Sequence, residues 1–386
     1  MAGNQSVRIP TLDGWRAVAI LMVSVCHLAQ MFWEGLRPDL VQRFLYGAFG
    51  VDIFFGISGL LITTLLLREW DATGQINLRA FYVRRAFRIV VPCFVYVMFL
   101  VAAGLIYSRT ELLASLFFYR NYLNQDLFGP HTPHLWSLAV EEHFYLLWPM
   151  TLALVTPRYG QLTAGWGAIL VSLWRVAAMA NFPGLSNAFP YYRTDYRMDS
   201  LLWGCAMAFL IRDEKVRPLL VSRFKLVWWL LMVVALVCCV LFITIPLVRV
   251  WIPILMGFIL AGTVLHPEWL FGRILELPAL RWIGKLSYGL YLWQLAFIVP
   301  FNVPNKGWWQ QFPQNIIIML LVVVVSYYLL EIRLMRLGHW ISARLTSRRA
   351  CSRTPRRALV ASRMQSNPAG DSPSGILSFR GNSRTL

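Results

Sequence analysis

Long apolar blocks separated by short polar connections make up most of the chain. Nine of the ten blocks hold about 15 to 21 residues, and at about 1.5 Å of rise per residue such helices approach or reach the ~30 Å thickness of a membrane core. The pattern predicts an all-α, polytopic membrane protein with about ten transmembrane helices. The predicted spans are Ala17 to Phe32, Gly50 to Leu67, Ile89 to Tyr107, Leu135 to Val155, Leu162 to Ala180, Ser200 to Ile211, Leu226 to Ile245, Trp251 to Leu265, Leu286 to Phe301 and Asn315 to Leu334.

The sixth block, Ser200 to Ile211, is much shorter than the others. A block of this length recruits its flanks to cross, enters the membrane without crossing, or is not a span at all. We count it as a crossing because the basic residues segregate to one side of the membrane only when it is included.

Composition and charge narrow the class further. With 58% hydrophobic and 14% charged residues, the chain has too few charges for an ordinary soluble domain. Its formal net charge of +18 would indicate nucleic-acid binding in a soluble protein. The ten spans instead place 26 of the 36 Lys and Arg residues on one side, 8 on the other and 2 at or within spans. Since basic connections stay in the cytoplasm, we expect both termini there and no nucleic-acid partner.

Two parts of the chain differ in composition. Residues 1–338 form the predicted membrane domain, whereas residues 339–386 are basic and rich in Ser and Pro, which is typical of a disordered cytoplasmic tail. Such a tail can rest on anionic lipid. The polar opening segment, Met1 to Asp13, has no cleavable apolar core, so we expect the first span to remain as an anchor. The cysteines have no disulfide or metal-ligand spacing, and we expect neither disulfides nor a metal.

An ionisable residue inside a span is costly to insert and is therefore a candidate for function. His27 lies eleven residues after Arg16 in the first span, near mid-depth. Eleven residues turn a helix by about 1100°, or three turns plus about 20°, so Arg16, His27 and roughly Asp13 share one stripe. An imidazole at this depth either takes a proton from a hydroxyl as a general base or fixes packing by bonding a neighbouring helix.

Basic residues also cluster where the third span begins. Arg84, Arg85 and Arg88 share one helical turn just ahead of Pro92, which can bend the helix. Guanidinium groups in this arrangement suit a multiply charged phosphate. The same residues also fit ordinary anchoring of a cytoplasmic connection, and composition alone does not separate the two interpretations.

The fourth span carries two successive carboxylates, Glu141 and Glu142, about two turns from its start, with His143 beside them. Adjacent helical residues face different directions, so at most one of the two glutamates is expected to face a given cavity. Carboxylates in hydrocarbon without a role would be costly, which favours a polar cavity here.

Further polar candidates lie in or beside other spans. For Asp52, Arg175 and Arg197 an interfacial or paired structural role is at least as well supported as a catalytic one. The set comprises Asp52, Arg175, Arg197, Asp199 and, near the cytoplasmic end of the tenth span, Glu331.

Six blocks of the sequence, in this order, resemble the motifs of the acyltransferase 3 family of integral membrane proteins. One of them reads Trp-Ser-Leu-Ala-Val-Glu-Glu from Trp136. The resemblance extends from Asp13 to about Glu331. The six blocks are Leu12 to Ile20 followed by His27, Asp52 to Ile62, Arg84 to Pro92, Trp136 to Pro149, Arg197 to Gly204 and Ile283 to Trp293.

The resemblance implies a fold, an activity and a set of functional residues. It implies ten transmembrane helices with cytoplasmic termini in the inner (plasma) membrane of a bacterium. It also implies transfer of an acyl group, usually acetyl, from cytoplasmic acyl-CoA to a hydroxyl of a saccharide or lipid-linked acceptor. The residues that match the family's functional positions are Arg16 and His27 of the first helix, the basic residues Arg84, Arg85 and Arg88, the glutamates Glu141 and Glu142, and Glu331.

Within this mechanism His27 removes the proton of the acceptor hydroxyl, and the arginines, with Arg16, bind the donor phosphates. Asp13 or a glutamate of the fourth helix orients the imidazole. Direct transfer and a ping-pong route through an acylated enzyme both fit the sequence.

The sequence departs from the family at several positions. Gln294 stands where the family often has His, and His143 where it often has Gln. Neither departure affects Arg16 or His27. Because intramembrane charges also mark transport paths, the alternative function is a carrier or flippase for lipid-linked saccharides. The acceptor and the oligomeric state are not encoded in any motif.

Overall fold

A computed structural model describes residues 9–32, 47–124, 129–181, 192–242, 248–300, 303 and 306–346. The regular secondary structure of these segments is helical. Short 3-10 turns occur at Arg120–Tyr122 and Trp308–Gln310. The helices are α1 (Pro10–Phe32), α2 (Gly47–Thr73), α3 (Leu78–Ala102), α4 (Arg109–Leu116), α5 (Leu135–Asn181), α6 (Thr194–Arg212), α7 (Val216–Arg223), α8 (Leu226–Leu241), α9 (Val248–Leu265), α10 (Leu270–Leu275), α11 (Pro278–Phe297) and α12 (Gln314–Thr346).

The helices confirm the predicted all-α, polytopic class, since each predicted span falls largely on a helix or on half of one. By length and composition, five helices of the described segments can cross a membrane, and the bent pair α7 and α8 would be a sixth. The five are α1, α2, α3, α9 and α12. Helices α5 and α6 carry carboxylates and arginines, which lower the mean hydropathy of a segment.

The sixth predicted span is longer in the structure than in the sequence pattern. Helix α6 has 19 residues, against the twelve of the apolar block. The extra N-terminal turns contain Arg197 and Asp199, which are buried and form ion pairs with other helices. At about 1.5 Å per residue the helix is about 28 Å long, so its polar flank brings it to the thickness of a membrane core.

Helix α5 contains two of the predicted spans and changes direction between them. Thr156 has φ 62° and ψ 161°, and helical geometry continues on both sides, over residues 135–155 and 157–181. Proline disfavours the helical conformation of the residue before it, so Pro157 explains why the break falls at Thr156. The first half of α5 brings Glu141 and Glu142 into the bundle.

Close helix contacts arrange the central layer. Helix α1 packs between α2 and α11, and α6 packs between α2 and α5. Gly204 of α6 lies against the Gly56 carbonyl of α2, and Gly59 lies against the Leu201 carbonyl. In the same way Gly284 of α11 receives the backbone of Asp13. Small residues at crossing points let helix backbones approach closely, which is how helices associate in lipid.

The two ends of the bundle differ in character. We call the end where α2 meets α3 and α6 meets α7 the basic end. There the side chains of Arg212 and Asp71 form an ion pair, and Asn77 donates to Thr346 over 3.2 Å. The opposite end is called the far end.

A buried polar cap covers the far end. The Glu111 carboxylate accepts hydrogen bonds from the Thr132 hydroxyl at 2.6 Å and from the Gly129 backbone at 3.1 Å. Arg120 donates to the Thr132 carbonyl at 3.2 Å. Burial lowers the pKa of Arg120 to about 10, and the Glu111 charge partly opposes this shift. The cap holds residues 105–124 and 129–134 against the ends of the helices.

Helix α12 continues to Thr346, beyond the predicted start of the tail at residue 339. The rest of that segment, residues 347–386, and the polar residues 1–8 lie outside the described residues. The prediction of a basic tail therefore stays a prediction.

The α2–α6 contact generates a stability prediction. We expect Gly204→Val to lower the midpoint of thermal unfolding in detergent by roughly 5 °C or more, because a β-carbon at this position would overlap the Gly56 carbonyl oxygen. Gly165→Val is the matched control, since a β-carbon there has no neighbour within 4 Å. Equal unfolding temperatures for the two variants would contradict the described α2–α6 packing.

Candidate active site

The predicted catalytic residues come from two helices and form two groups inside the bundle. Helix α1 contributes Asp13, Arg16 and His27, and α5 contributes Glu141 and Glu142. Helices α2, α3, α11 and α12 contribute further polar side chains to these groups, which are Ser58, the arginines Arg85 and Arg88, Gln294 and Glu331. The resulting site has an arginine-rich region near the basic end and a histidine region deeper in the bundle.

Arg16 occupies the arginine-rich region. Its guanidinium is 3.4 Å from the Asp13 carboxylate, one helical turn earlier, and the two side chains are only 18% and 13% exposed. Arg16 also interacts electrostatically with Arg88, Glu141 and Tyr145. It therefore lies at the point where α1, α3 and α5 meet.

Arg85 and Arg88 reach this region because α3 widens at their position. Residues Ala86–Val90 are π-helical, and the Val91 N–H donates to the Ala86 carbonyl five residues back. Pro92 has no N–H with which an α-helix would bind the Arg88 carbonyl, which favours the wider turn. The Arg85 guanidinium lies over the Tyr145 ring at 5.0 Å from its centroid.

Arg84 has a different partner from its two neighbours. It lies 3.9 Å from the Glu69 carboxylate at the C-terminal part of α2. Arg85 interacts electrostatically with both Arg16 and Arg88, so these three form the arginine cluster of the site. Arg84 lies at the edge of that cluster.

Glu141 is held by two hydroxyl groups. Its carboxylate accepts hydrogen bonds from Ser58 and Tyr145, both at 3.1 Å, and the Tyr145 hydroxyl lies 2.9 Å from the Ser58 hydroxyl. The three groups form a closed triangle between α2 and α5. The carboxylate beside Arg16 and Arg85 is thereby fixed in place.

Glu142 and Glu331 have polar atoms that stay unsatisfied. The Oε1 atom of each is buried, and neither finds a hydrogen-bond partner among the described residues. Glu331 ends a second π-helical segment, Ser326–Glu331 in α12, and interacts electrostatically with Arg88. Gly289 of α11 leaves room for the Glu331 carboxylate. Buried unpaired carboxylate oxygens are costly, so these atoms are suited to accept hydrogen bonds from a bound molecule.

His27 occupies the deeper region. It is hydrogen-bonded to Gln294 of α11, while its Nδ1 atom is buried with no hydrogen-bond partner in the described part of the chain. About 16 Å of helix separates His27 from Arg16, as expected from the rise of α1, which is helical over all the intervening residues. The imidazole therefore presents one unused nitrogen inside the bundle.

His134, at the start of α5, was not identified as a candidate from the sequence. It is 5% exposed, interacts electrostatically with His27, and its Nε2 atom lies 3.2 Å from the Leu292 carbonyl. Its Nδ1 atom is buried and unsatisfied within the segments that the structure describes. Because His134 precedes the apolar block rather than interrupting it, the hydropathy pattern gave no signal.

Ser58 and Tyr145 were also missed as candidates. Neither is charged, and only the tertiary contact with Glu141 reveals them. His143, by contrast, faces away from the glutamate beside it. Its Nδ1 atom is 2.7 Å from the Thr194 hydroxyl of α6, and its ring packs near Tyr122.

Four other polar candidates pair with one another. Arg197 lies 2.9 Å from Asp52, and Arg175 lies 2.7 Å from Asp199. The Ser200 hydroxyl donates to Asp52 at 2.8 Å. All four ionic side chains are buried, and the pairs join α2 and α5 to α6. Their geometry matches the paired structural role.

In the described segments, no group of three or more His, Cys, Asp or Glu side chains is arranged to hold a metal ion.

These helices and their buried arginines, carboxylates and imidazole define a polytopic membrane protein with an internal polar site. The chain belongs to the acyltransferase 3 family, whose sequence model, described as an acyltransferase domain, matches residues 9–331. The resemblance noted in the motifs is thus confirmed.

Curated relatives carry the names of O-acetyltransferases. The chain is 33% identical over 333 residues to the peptidoglycan O-acetyltransferase OatA of Listeria monocytogenes, covering 75% of this chain and 49% of the relative. It is 34% identical over 322 residues to a putative O-acetyltransferase of Staphylococcus aureus, covering 75% and 50%. A putative peptidoglycan O-acetyltransferase of Bacillus subtilis is 31% identical over 320 residues, covering 75% and 49%. The chain spans about half the length of these relatives. No solved structure matches it.

The buried ion pairs generate a prediction that separates structural from catalytic charges. Arg197→Met should lower the free energy of unfolding by about 3–5 kcal/mol, because it leaves the Asp52 carboxylate buried without its cation. Denaturant unfolding in detergent measures this, and the double variant Asp52→Asn, Arg197→Met should recover part of the loss.

The matched control for this prediction is Arg193→Met. Arg193 pairs with Asp195 at the same end of α6, but both side chains are about a third exposed. Removing an exposed partner should cost no more than about 1 kcal/mol. Equal losses from the Arg197 and Arg193 variants would disprove the special role of the buried pair.

Proposed function

We propose that this protein is an integral membrane O-acyltransferase of the bacterial inner membrane. It moves an acyl group, typically acetyl, from acyl-CoA to a hydroxyl of a cell-envelope saccharide. The observation that carries the proposal is the unused, buried Nδ1 atom of His27 on the same helix as Arg16 of the arginine cluster. One interior site thus combines a proton acceptor with a group of anion-binding side chains.

The distribution of charge supports one orientation. The ten predicted spans put 26 of the 36 Lys and Arg residues, those of the terminal segments included, on the side of the basic end, which supports a cytoplasmic location for that end and for both termini. Acyl-CoA is made and held in the cytoplasm, so the donor approaches from the basic end. The arginine cluster is the first part of the site that it meets.

The arginine cluster supplies the donor site. Arg85 and Arg88, with Arg16 nearby, present guanidinium groups that suit the phosphates of CoA. Arg84, paired with Glu69, contributes less to phosphate binding. The pantetheine arm of CoA is comparable in length to the helix between Arg16 and His27. A donor anchored at the arginines can therefore present its thioester beside the imidazole.

His27 performs the proton transfer. The acceptor oxygen attacks the thioester carbonyl carbon while its proton moves to the Nδ1 atom of His27. The carbon–sulfur bond then breaks, and the thiolate sulfur takes up this proton. The products are an ester and the free thiol of CoA, with no net gain or loss of protons.

The carboxylates form and break no bonds in this reaction, but they hold the reacting partners' binding groups in place. Asp13 holds Arg16, and the Ser58–Tyr145–Glu141 triangle fixes a negative charge beside Arg16 and Arg85. Fixed carboxylates keep the guanidinium groups in place before the donor arrives, which reduces the ordering cost of binding. The unsatisfied oxygens of Glu142 and Glu331 can accept the amide hydrogens of the pantetheine arm.

The acceptor is inferred from the relatives. Two of those compared are named for O-acetylation of peptidoglycan, a polymer whose sugars carry free hydroxyls. We therefore propose a peptidoglycan-type or related envelope saccharide as acceptor.

The base assignment has a direct test. His27→Ala should lower acyl transfer at least about 100-fold, because general-base catalysis contributes on this scale. The assay measures alkali-labile label from [14C]acetyl-CoA in membranes of a parent strain that lacks the chromosomal gene and carries the variant.

His143→Gln is the matched control for His27, since His143 is bonded to Thr194 outside the site and should be replaceable. Near-normal transfer by a stable His27→Ala variant would remove His27 from the mechanism. The detergent-solubilised protein should retain acyl transfer. A transporter needs a sealed bilayer, so loss of all activity in detergent with uptake intact in vesicles would favour the carrier alternative.

The donor site has a separate test. Arg85→Ala and Arg88→Ala should each raise the apparent KM for acetyl-CoA by roughly tenfold or more, because each removes a charge-assisted phosphate contact worth about 1.5–3 kcal/mol. Steady-state release of free CoA thiol at several donor concentrations gives the KM and kcat separately.

Arg79→Ala is the control for the donor site. Arg79 lies on the same helix, one to two turns before the cluster. Its removal should leave the donor KM unchanged. If the Arg85, Arg88 and Arg79 variants all had the same KM for acetyl-CoA, Arg85 and Arg88 would act as membrane anchors and not as phosphate ligands.

A further inference from the structure

Gln294 is a fully buried amide in the middle of the helix bundle. It belongs to α11, which packs against α1, and it is 0% exposed. The Ser24 hydroxyl of α1 donates to its Oε1 atom at 3.3 Å, and His27 is hydrogen-bonded to its side chain. Ser24 and His27 are three residues apart and so share one face of α1.

The orientation of this amide is fixed by its other partner. The Nε2 atom of Gln294 donates to the Tyr291 carbonyl at 3.1 Å, and a carbonyl oxygen can only accept. The Oε1 atom must therefore face Ser24 and His27. An amide oxygen has two lone pairs, which suffice for the hydroxyl and for one imidazole N–H.

The hydrogen bond to Gln294 also sets the tautomer of His27. The Nδ1 atom of His27 has no hydrogen-bond partner within the described segments, and we therefore assign the contact with Gln294 to Nε2. Since the Gln294 oxygen can only accept, Nε2 carries the hydrogen and Nδ1 keeps its lone pair. The lone pair is what a general base needs.

We propose that Gln294 is a positioning residue that holds His27 in the tautomer and ring orientation required of the base. This inference rests on the proposed function, in which His27 accepts the proton of the acceptor hydroxyl. Gln294 acts as the neutral counterpart of the carboxylate that orients histidine in hydrolase triads. Being neutral, it leaves the imidazole uncharged before the reaction.

Few charged or titratable groups of the described residues interact with His27. His134 is the titratable group found to interact electrostatically with it among the described residues. Helix α11 contributes Tyr291 near Gln294, through its backbone carbonyl, and Asp52 of the neighbouring α2 is paired with Arg197. No carboxylate of the described residues competes with Gln294 for the imidazole.

Two variants test the proposal through their pH–rate profiles. Gln294→Glu keeps the accepting oxygen and adds a negative charge, which stabilises the imidazolium. The acid limb of the profile should move to higher pH by about one unit or more, with the plateau largely preserved. Gln294→Leu removes the acceptor. Its plateau kcat should fall at least about tenfold, its acid limb should move to lower pH, and the acetyl-CoA KM should stay unchanged.

Gln310→Leu is the matched control. Gln310 is another buried glutamine, and its amide donates to the Ala296 carbonyl two residues after Gln294 on the same helix. Its replacement should leave the pH profile unmoved. The inference is overturned if the acid limb stays in place in both Gln294 variants, or if Gln310→Leu moves it equally.

The experiment separates this inference from the proposed function. If His27→Ala abolishes transfer while the Gln294 variants keep the wild-type profile, only the positioning role is lost. If His27→Ala retains transfer, the base assignment is wrong and the positioning role falls with it. Should Gln294→Glu fail to fold, Gln294→Leu decides alone, because leucine is compatible with a buried site and its predicted shift has the opposite sign.

Discussion

Buried charge must be paired, and this constraint shapes the whole bundle. A lone guanidinium or carboxylate among apolar helices is costly, whereas a pair with good geometry is tolerated. Arg197 with Asp52 and Arg175 with Asp199 meet the condition between α2, α5 and α6. These pairs allow α6 to include a polar flank inside the bundle. They also fix α2, which contributes Ser58, and α5, which contributes the glutamates. The positions of the site's side chains therefore depend on ion pairs that lie outside it.

The candidate site differs from the ion-paired frame because several of its buried polar atoms have no hydrogen-bond partner. Oxygen atoms of Glu142 and Glu331 and a nitrogen of His27 are buried without partners in the described segments. The free energy that these groups lose on folding is recovered only when another molecule supplies hydrogen bonds. A frame held by buried ion pairs around an interior with unpaired acceptors is an arrangement suited to binding.

The sequence predicted charged features better than neutral ones. Arg16, His27 and Glu141 were predicted because an ionisable residue stands out at the edge of or inside an apolar block, and Asp13 because it shares a helical stripe with Arg16 and His27. Ser58, Tyr145 and Gln294 were missed as candidates, because their role arises from contacts between helices far apart in the chain. The true length of α6 was missed for a related reason, since buried pairing cannot be seen in a hydropathy pattern. Gly56, Gly59 and Gly204 sit at helix crossings that only the packing reveals. Pro92 was the single sequence signal for the irregular turn of α3.

Both π-helical segments bear on how the chain tolerates changes in length. A π-turn is equivalent to one extra residue inside an α-helix. Deleting one residue from Ala86–Val90 would restore a regular helix, and would leave the local backbone better bonded. Because the π-turn absorbs the extra residue, the helix on either side of the deletion would keep its orientation, and Arg85 would still face Arg16 and Tyr145. A deletion in a regular part of α3 would instead rotate the residues before it by about 100° relative to the residues after it. Within homologous chains, a gap of one residue inside this π-helical segment would thus be compatible with an intact arginine cluster, whereas a gap elsewhere in α3 would not.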